Sequence, residues 1–152
     1  MKYDLIIKNG KVVDALDYSD LYRPWERKDI GIKGDRIVAV GQLKESESKN
    51  IINAEDCIVS PGIIDIHSHS DNYLLLNPKA ESKIRQGVTT EVIGNCGLSA
   101  APLGGKYQPT KSILSDQVKP VWTTMSEYLS HLEKNGSSVN VVPLVGHNNI
   151  RG

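Results

Sequence analysis

One segment constrains the fold more than any other: residues 57–66 are almost continuously apolar and lead directly into His67. A strand with one solvated face alternates apolar and polar residues, whereas an unbroken apolar run is typical of a strand buried on both faces. Strands of that kind occur mainly in parallel sheets that helices cover on both sides. We therefore predict an α/β domain that begins at residue 57.

The next two elements fit this prediction. Asn77 and Pro78 are typical of a helix start, and Gly87 is placed to end a helix that contains Ile84. Residues 88–96 are rich in β-branched side chains and predict a second buried strand. A strand, a helix and a strand in this order form the unit from which parallel sheets are built.

A second helix and a third strand extend the pattern. Thr124 and Glu127 have the spacing of a capping box, and the apolar residues after them recur with helical periodicity until Gly136. Residues 139–145 predict the third strand. Residues 97–123 contain many glycines and prolines and predict a long irregular loop between the second strand and this helix.

The first 56 residues have a different character, with short apolar segments separated by turn residues. Asn9 and Gly10 favour the type I′ turn of a hairpin, and a second turn is expected at residues 34–35. We predict a small antiparallel sheet, with residues 18–28 as a loop or extension. Its strands are expected at residues 5–7, 12–13, 30–32, 37–40 and 51–52.

Charge narrows the class of partner. The sequence has 18 basic and 18 acidic residues and no lysine or arginine cluster, which is unlike a protein that binds nucleic acid or an anionic membrane. The apolar run near the N-terminus is too short to span a bilayer, and Asp4 lies where a signal peptide has basic residues. We expect a cytoplasmic protein with reduced cysteines.

His67 and His69 follow the first predicted α/β strand. Strand alternation would place both imidazoles on the same side as Asp65. Neutral imidazole binds zinc and similar ions, and α/β barrels collect active-site residues at the C-terminal ends of their strands. On this pair alone, solvated or hydrogen-bonded histidines are the commoner case, and metal binding stays open as the alternative.

Cys96 ends the second predicted strand and so joins the same end of the sheet. Gly94, Asn95 and Gly97 around it allow sharp backbone turns. A thiolate at this position could bind zinc, and we favour that interpretation for Cys96. For Cys57, at a strand start, we favour a small buried structural residue.

Two strings of residues resemble a known family. Residues 60–69, S-P-G-I-I-D-I-H-S-H, look like the first metal-binding strand of the amidohydrolase superfamily. Residues 87–102, G-V-T-T-E-V-I-G-N-C-G-L-S-A-A-P, resemble the stretch that distinguishes the N-acyl-D-amino-acid deacylases from dihydroorotases and hydantoinases. The resemblance covers essentially the whole chain.

The resemblance implies a fold and a division into domains. Residues 1–56 would be the N-terminal contribution to a small β-domain, and residues 57–152 the first part of a (β/α)8 TIM-type barrel. That part would comprise strand, helix, strand, helix and strand, so the barrel is incomplete. Its open sheet edge is expected to pair with the remainder of the barrel or to associate with itself.

The resemblance also implies a reaction and its ligands. His67, His69 and Cys96 inherit the roles of metal ligands, with zinc as the expected metal and one or two ions bound. The family hydrolyses the amide bond of N-acyl-D-amino acids to a carboxylate and a D-amino acid. Its remaining histidines and its general acid/base aspartate come from later strands, beyond Gly152, so we expect these 152 residues to be inactive by themselves.

Three further residues are candidates for contacting substrate or ordering the metal ligands: Asp71, Asn95 and His147. For Asp71 a local loop turn is the competing interpretation, and for His147 a hydrogen-bonded histidine at a strand end. Residues 144–151 resemble the end of the family's third strand, although Asn148 and Asn149 stand where Gly-Thr is more usual.

Two alternatives to the deacylase fragment stay open. One is an inactive metal-binding remnant or split-barrel subunit that needs a partner chain. The other is a cyclic amidohydrolase similar to dihydroorotase or hydantoinase. The string around Cys96 favours the deacylase.

Overall fold

The computed structural model describes residues 1–13, 25–104 and 117–151. The chain divides into two compact units, Met1–Pro61 and Gly62–Gly152. No helix in the described part of the chain has the length and apolar content needed to cross a membrane.

The first unit is a five-stranded sheet built around its first strand, β1. Strand β2 pairs antiparallel with both β1 and β3, whereas β4 and β5 pair with β1 in parallel. The sheet is therefore mixed and not antiparallel as predicted, because the chain returns to the beginning of β1 before β4 starts. The strands are β1 (Leu5–Val13), β2 (Trp25–Lys33), β3 (Arg36–Gly41), β4 (Ile51–Asn53) and β5 (Ile58–Val59).

The hairpin predicted at Asn9-Gly10 is wrong, because these residues lie inside β1. A type I′ turn needs a positive φ at both central residues, and here Asn9 has one (62°) whereas Gly10 does not. The register instead shifts at this point, so the pair forms a bulge opposite β2. The backbone N–H of Asn9 donates to Oδ1 of Asp29 at 2.8 Å.

The loop predicted over residues 18–28 is wrong for its last four residues. Residues 25–28 belong to β2 and pair with residues 10–13 of β1, while residues 18–24 lie outside the described residues. The second predicted turn is confirmed, since Lys33 pairs with Arg36 across it.

The second unit contains three parallel strands in the order β6, β7, β8. The predicted strand, helix, strand, helix, strand sequence is present, with short additional helices. The strands are β6 (Ile63–Asp65), β7 (Val88–Ile93) and β8 (Asn140–Pro143), and the helices are α1 (Tyr73–Leu76), α2 (Glu81–Ile84), α3 (Met125–Asn135) and α4 (His147–Arg151).

The apolar run over residues 57–66 is two strands and not one. Strand β5 pairs with β1 in the first unit, and β6 pairs with β7 in the second. Pro61 lies between them, and proline cannot donate the backbone hydrogen bond that a continuous strand requires. The expected burial on both faces is also wrong, since Ile64 is 59% exposed and Ile66 74% exposed.

The helix predicted to start at Asn77 is displaced. Asn77 instead ends α1, and its N–H donates to the carbonyl of Tyr73 at 2.8 Å. A residue before proline is pushed out of the helical region, and Asn77 has φ −131° and ψ 78°. The next helix, α2, begins only after Ala80, and Gly87 follows it with a φ of 81°.

Helix α3 is placed as predicted, and it covers the core of the second unit. The capping box is present, with Thr124 accepting from the N–H of Glu127. Tyr128 is buried and donates its hydroxyl to the backbone carbonyl of Asp71, and Trp122 donates to the carbonyl of Ala100 at 2.8 Å. The buried core cluster comprises Leu74, Ala80, Ile93, Ala100, Ala101, Trp122, Tyr128, Leu132 and Val139.

Candidate metal centre

The three predicted ligands lie together where β6 and β7 end. The ligand atoms of His67, His69 and Cys96 all lie within 4.8 Å of one another. Nε2 of His67 is 3.2 Å from Sγ of Cys96, and the two imidazole rings meet edge to face with centroids 5.4 Å apart. All three side chains are exposed, so an ion can reach them from solvent.

The two histidines lie on the segment that follows β6. The backbone N–H of His67 donates to Oδ1 of Asp65, the last residue of that strand, at 3.2 Å. Between the histidines, Ser68 is buried, and its N–H donates to the carbonyl of Val92 on β7 at 3.0 Å. The histidine segment is thus held against the strand that leads to Cys96.

Cys96 has an unusual backbone conformation. Its φ is 57°, and the flanking Gly94 and Gly97 have φ values of 80° and 76°. A non-glycine residue in the left-handed region costs of order 1–3 kcal/mol, and such residues cluster at functional sites. The turn presents the thiol to His67 instead of packing it inside the unit.

The donor set fits a zinc ion. Zinc takes sulfur at about 2.3 Å and nitrogen at about 2.0 Å, so two ligand atoms on one tetrahedral ion lie about 3.3–3.8 Å apart. The 3.2 Å between Nε2 of His67 and Sγ of Cys96 is close to that range. One thiolate and two imidazoles also suit zinc by ligand softness.

Asp65 does not join the histidines as the strand alternation predicted. Among the described residues the metal-competent cluster contains only the two histidines and the cysteine. Oδ2 of Asp65 instead accepts from Nζ of Lys83 on α2 at 2.5 Å, and this hydrogen bond is the main cause that lowers the pKa of Asp65. The strand ends at Asp65, so the alternation does not continue to the histidines.

Asp71 and Asn95 contact the two ligand segments. Asp71 is buried, and its Oδ1 accepts from the N–H of Ala100 at 3.3 Å; burial raises the pKa of this carboxyl. Nδ2 of Asn95 donates to the carbonyls of Val92 at 2.8 Å and of Ser68 at 3.3 Å. Both side chains therefore join the segment after β6 to the segment after β7.

His147 is exposed at the start of α4 and lies outside the cluster of ligand atoms. The residue after it, Asn148, donates its N–H to the carbonyl of Gly97 at 3.0 Å. A Cβ added to Gly146 would lie 2.6 Å from that same carbonyl oxygen. The start of α4 thus packs closely on the turn that follows Cys96.

Cys57 is exposed, which contradicts the buried role expected for it. It follows Ala54 in a turn, where its N–H donates to the Ala54 carbonyl at 2.9 Å. Its side chain therefore does not contribute to a core.

Comparison with known proteins finds relatives that match over nearly the whole of this chain. No protein-family model matches the chain. An N-acyl-D-glutamate deacylase of Alcaligenes xylosoxydans xylosoxydans is 40% identical to it over 152 residues, which cover 99% of this chain and 30% of that enzyme. The chain is homologous to the N-terminal portion of the D-aminoacylases.

Solved structures agree with the sequence comparison. A D-aminoacylase that defines a subset of amidohydrolases superimposes with a TM-score of 0.84 at 40% identity, over 98% of this chain and 31% of that one. An N-acyl-D-glutamate deacylase of Bordetella bronchiseptica, complexed with zinc and a phosphonate mimic of the tetrahedral intermediate, gives a TM-score of 0.84 at 33% identity, over 99% of this chain and 31% of that one. The chain thus spans about a third of the length of these homologues.

Sequence reasoning missed one ion pair near the candidate metal centre. Glu91 lies in β7, is fully buried, and pairs with Lys83 at 2.9 Å. Burial lowers the pKa of Lys83, but hydrogen bonds to Asp65 and Glu91 outweigh burial and raise it. The signal was present in the sequence, because an acidic residue inside an apolar strand is rarely buried without a partner.

Proposed function

We propose that the chain forms the N-terminal part of the active site of a zinc-dependent deacylase that acts on N-acyl-D-amino acids. The observation that carries the proposal is the convergence of His67, His69 and Cys96 at adjacent strand ends. The whole-chain similarity to D-aminoacylases favours a linear N-acyl amino acid over a cyclic amide as the substrate. The chain covers about a third of those enzymes, so hydrolysis is proposed for the protein that also contains the remaining barrel strands.

In this proposal each candidate residue either binds zinc, contacts the substrate or holds the zinc-binding residues in place. His67, His69 and Cys96 bind one or two zinc ions, Cys96 as a thiolate. When bound, zinc supplies a Lewis acid that polarises an amide carbonyl and acidifies water. Asp71 and Asn95 hold the two ligand segments together, and His147 contacts substrate from the start of α4.

The proposed fold is the beginning of a (β/α)8 barrel, preceded by the small sheet as a separate domain. Three adjacent parallel strands, with candidate ligands after the C-terminal ends of β6 and β7, fit the arrangement in which barrel enzymes build active sites. Several apolar side chains at this sheet are 44–74% exposed, and further strands from the same protein or a partner chain would cover them. They are Ile63, Ile64, Ile66, Val142, Leu144 and Val145.

We propose the cytoplasm as the location of this protein.

Metal titration of the 152-residue chain tests the metal centre directly. Zinc affinity is measured by competition with a chromophoric chelator, and cobalt(II) absorption reports whether a thiolate is bound. Cys96→Ser is expected to abolish the thiolate-to-cobalt charge-transfer band and to lower zinc affinity at least about tenfold. Cys57→Ser is the matched control, because Cys57 is the other exposed cysteine and lies outside the ligand cluster.

If the cobalt spectrum of Cys96→Ser is the same as that of the wild-type chain, the proposed metal centre is wrong. The activity is tested separately by co-expressing the chain with the remaining two-thirds of a homologous D-aminoacylase and assaying release of carboxylate from N-acyl-D-amino acids. Hydrolysis of cyclic amides without hydrolysis of linear ones would overturn the substrate class.

A further inference from the structure

Ser68 lies between the two histidines. Its N–H, its carbonyl and its hydroxyl each form a hydrogen bond to β7 or to the residues that follow β7. Its N–H donates to the carbonyl of Val92 at 3.0 Å, its carbonyl accepts from Nδ2 of Asn95 at 3.3 Å, and its hydroxyl donates to Oε1 of Glu91 at 3.2 Å. Because the peptide groups on both sides of Ser68 are held, the backbone positions of His67 and His69 are held with them.

Glu91 anchors this arrangement from inside the unit. Its side chain is 0% exposed, and its Oε1 accepts from the hydroxyl of Ser70 at 3.0 Å as well as from Ser68. The same oxygen pairs with Nζ of Lys83 at 2.9 Å. Lys83 also binds Asp65, the residue to which the N–H of His67 donates. The polar network therefore contacts the chain before, between and after the two histidines.

Burial of the Glu91 carboxylate is costly even beside Lys83, whose side chain is 25% exposed, and stability alone does not account for it. A buried pair gains no more on average than well-packed apolar residues of the same volume, because both charges lose their hydration. What this network supplies is a defined geometry, because Oε1 of Glu91 interacts with Ser68, Ser70 and Lys83 at once. The other carboxylate oxygen, Oε2, is buried without a hydrogen-bond partner among the described residues. Glu91 lies on the strand that Cys96 follows, so the network sets the histidines relative to the cysteine's own strand.

We propose that Glu91 and Ser68 are positioning residues that hold His67 and His69 at metal-binding distance from Cys96. The proposal rests on the proposed metal centre and adds residues that do not themselves contact the ion. Glu91 acts through the hydroxyls of Ser68 and Ser70, and Lys83 balances its charge.

The test compares zinc affinity and cobalt(II) absorption in Glu91→Gln, Ser68→Ala and a matched control. The control is Asp29→Asn, which breaks a buried ion pair with Lys8 of the same 2.9 Å length in the other unit. We expect Glu91→Gln to weaken zinc binding about tenfold and to change the visible cobalt bands, which depend on ligand geometry. Asp29→Asn is expected to leave zinc affinity within about twofold of wild type.

Ser68→Ala removes only a hydroxyl and decides the case if Glu91→Gln does not fold. It is expected to lower zinc affinity about three- to tenfold with little loss of stability. If folded Glu91→Gln keeps wild-type zinc affinity and wild-type cobalt bands, the positioning role is overturned. If Glu91→Gln does not fold, the same result in Ser68→Ala overturns it. A wild-type chain that lacks a band dependent on Cys96 would instead overturn the metal centre itself, and the positioning role with it.

Discussion

The side chain of Asn149 bonds both backbone groups of Ser99. Oδ1 of Asn149 accepts from the Ser99 N–H at 3.0 Å, and Nδ2 donates to the Ser99 carbonyl at 2.8 Å and to the Pro102 carbonyl at 3.0 Å. Ser99 in turn accepts the N–H of Gly146 on its hydroxyl at 2.9 Å. One side chain on α4 thereby fixes the segment that follows Cys96.

Asn149→Ala is expected to destabilise the second unit by about 2–3 kcal/mol, because it leaves buried backbone groups without partners. The measurement is urea unfolding followed by the fluorescence of Trp122, which lies in that unit's core. Asn148→Ala is the control, since Asn148 is exposed on the same helix and bonds Gly97 through its backbone. Equal loss of stability in both variants would show that the hydrogen bonds of the Asn149 side chain do not stabilise this segment.

Gly94→Ala is expected to cost about 2–5 kcal/mol, more than Gly87→Ala. The two glycines flank β7 with nearly the same φ, 80° and 81°, so both variants incur about 1–2 kcal/mol of backbone strain. A Cβ at Gly94 would also lie 2.1 Å from the Leu144 carbonyl oxygen, whereas one at Gly87 has an ordinary contact of 3.8 Å. Overpacking of this kind adds about 1–3 kcal/mol.

Chemical denaturation of the two glycine variants checks this difference. If Gly87→Ala proves as destabilising as Gly94→Ala, the close approach of the β7 and β8 ends is not the constraint.

Thr124→Ala is expected to destabilise the second unit by about 1 kcal/mol, because Oγ1 of Thr124 accepts the N–H of Glu127 at 3.2 Å at the start of α3. Thr123→Ala is the neighbouring control, since Thr123 is exposed and meets Glu127 through its backbone N–H. Thermal unfolding of both variants should separate them, with Thr123→Ala close to wild type.

Asp29 makes the first unit sensitive to acid. Burial raises the pKa of Asp29, but hydrogen bonds from the N–H groups of Asn9 and Leu43 and from Lys8 outweigh burial and lower it. Since its folded pKa lies below the unfolded value of about 3.9, its stabilising contribution is present above about pH 4 and is lost as pH falls through the folded pKa.

Asp29→Asn is accordingly expected to cost about 2–4 kcal/mol at pH 7, with a difference from wild type that shrinks below about pH 4. Unfolding of the first unit is followed by the fluorescence of Trp25 on β2, and exposed Asp35→Asn serves as the control. A difference between Asp29→Asn and wild type that stays constant from pH 7 to pH 2 would contradict this assignment.

Errors in the sequence-based fold prediction share one cause. Asn9 and Gly10 favour a hairpin turn locally, yet β1 continues through them because Asp29 on another strand accepts the Asn9 N–H. Residues 57–66 have the composition of one buried strand, yet their two halves find different partner strands. Local composition does not encode which distant strand a segment will pair with.

The candidate site was predictable only where it depends on local sequence. His67, His69 and Cys96 follow segments whose strand character is local, and parallel strands bring their C-terminal ends to one edge. The position of Glu91 in an apolar strand indicated that it has a partner, but the sequence did not show that Ser68 is one, because the two residues are 23 positions apart.

The sequence by itself determined the elements that depend on short-range spacing: the capped helix at Thr124, the turn after Lys33, and the types of candidate ligand at the strand ends. The tertiary structure alone decided how those ligands are held, through Glu91 beneath the histidines and Asn149 beside the segment after Cys96. The physical reason is that a helix cap is satisfied within one turn of chain, whereas a buried carboxylate or amide is satisfied only by groups that folding brings to it.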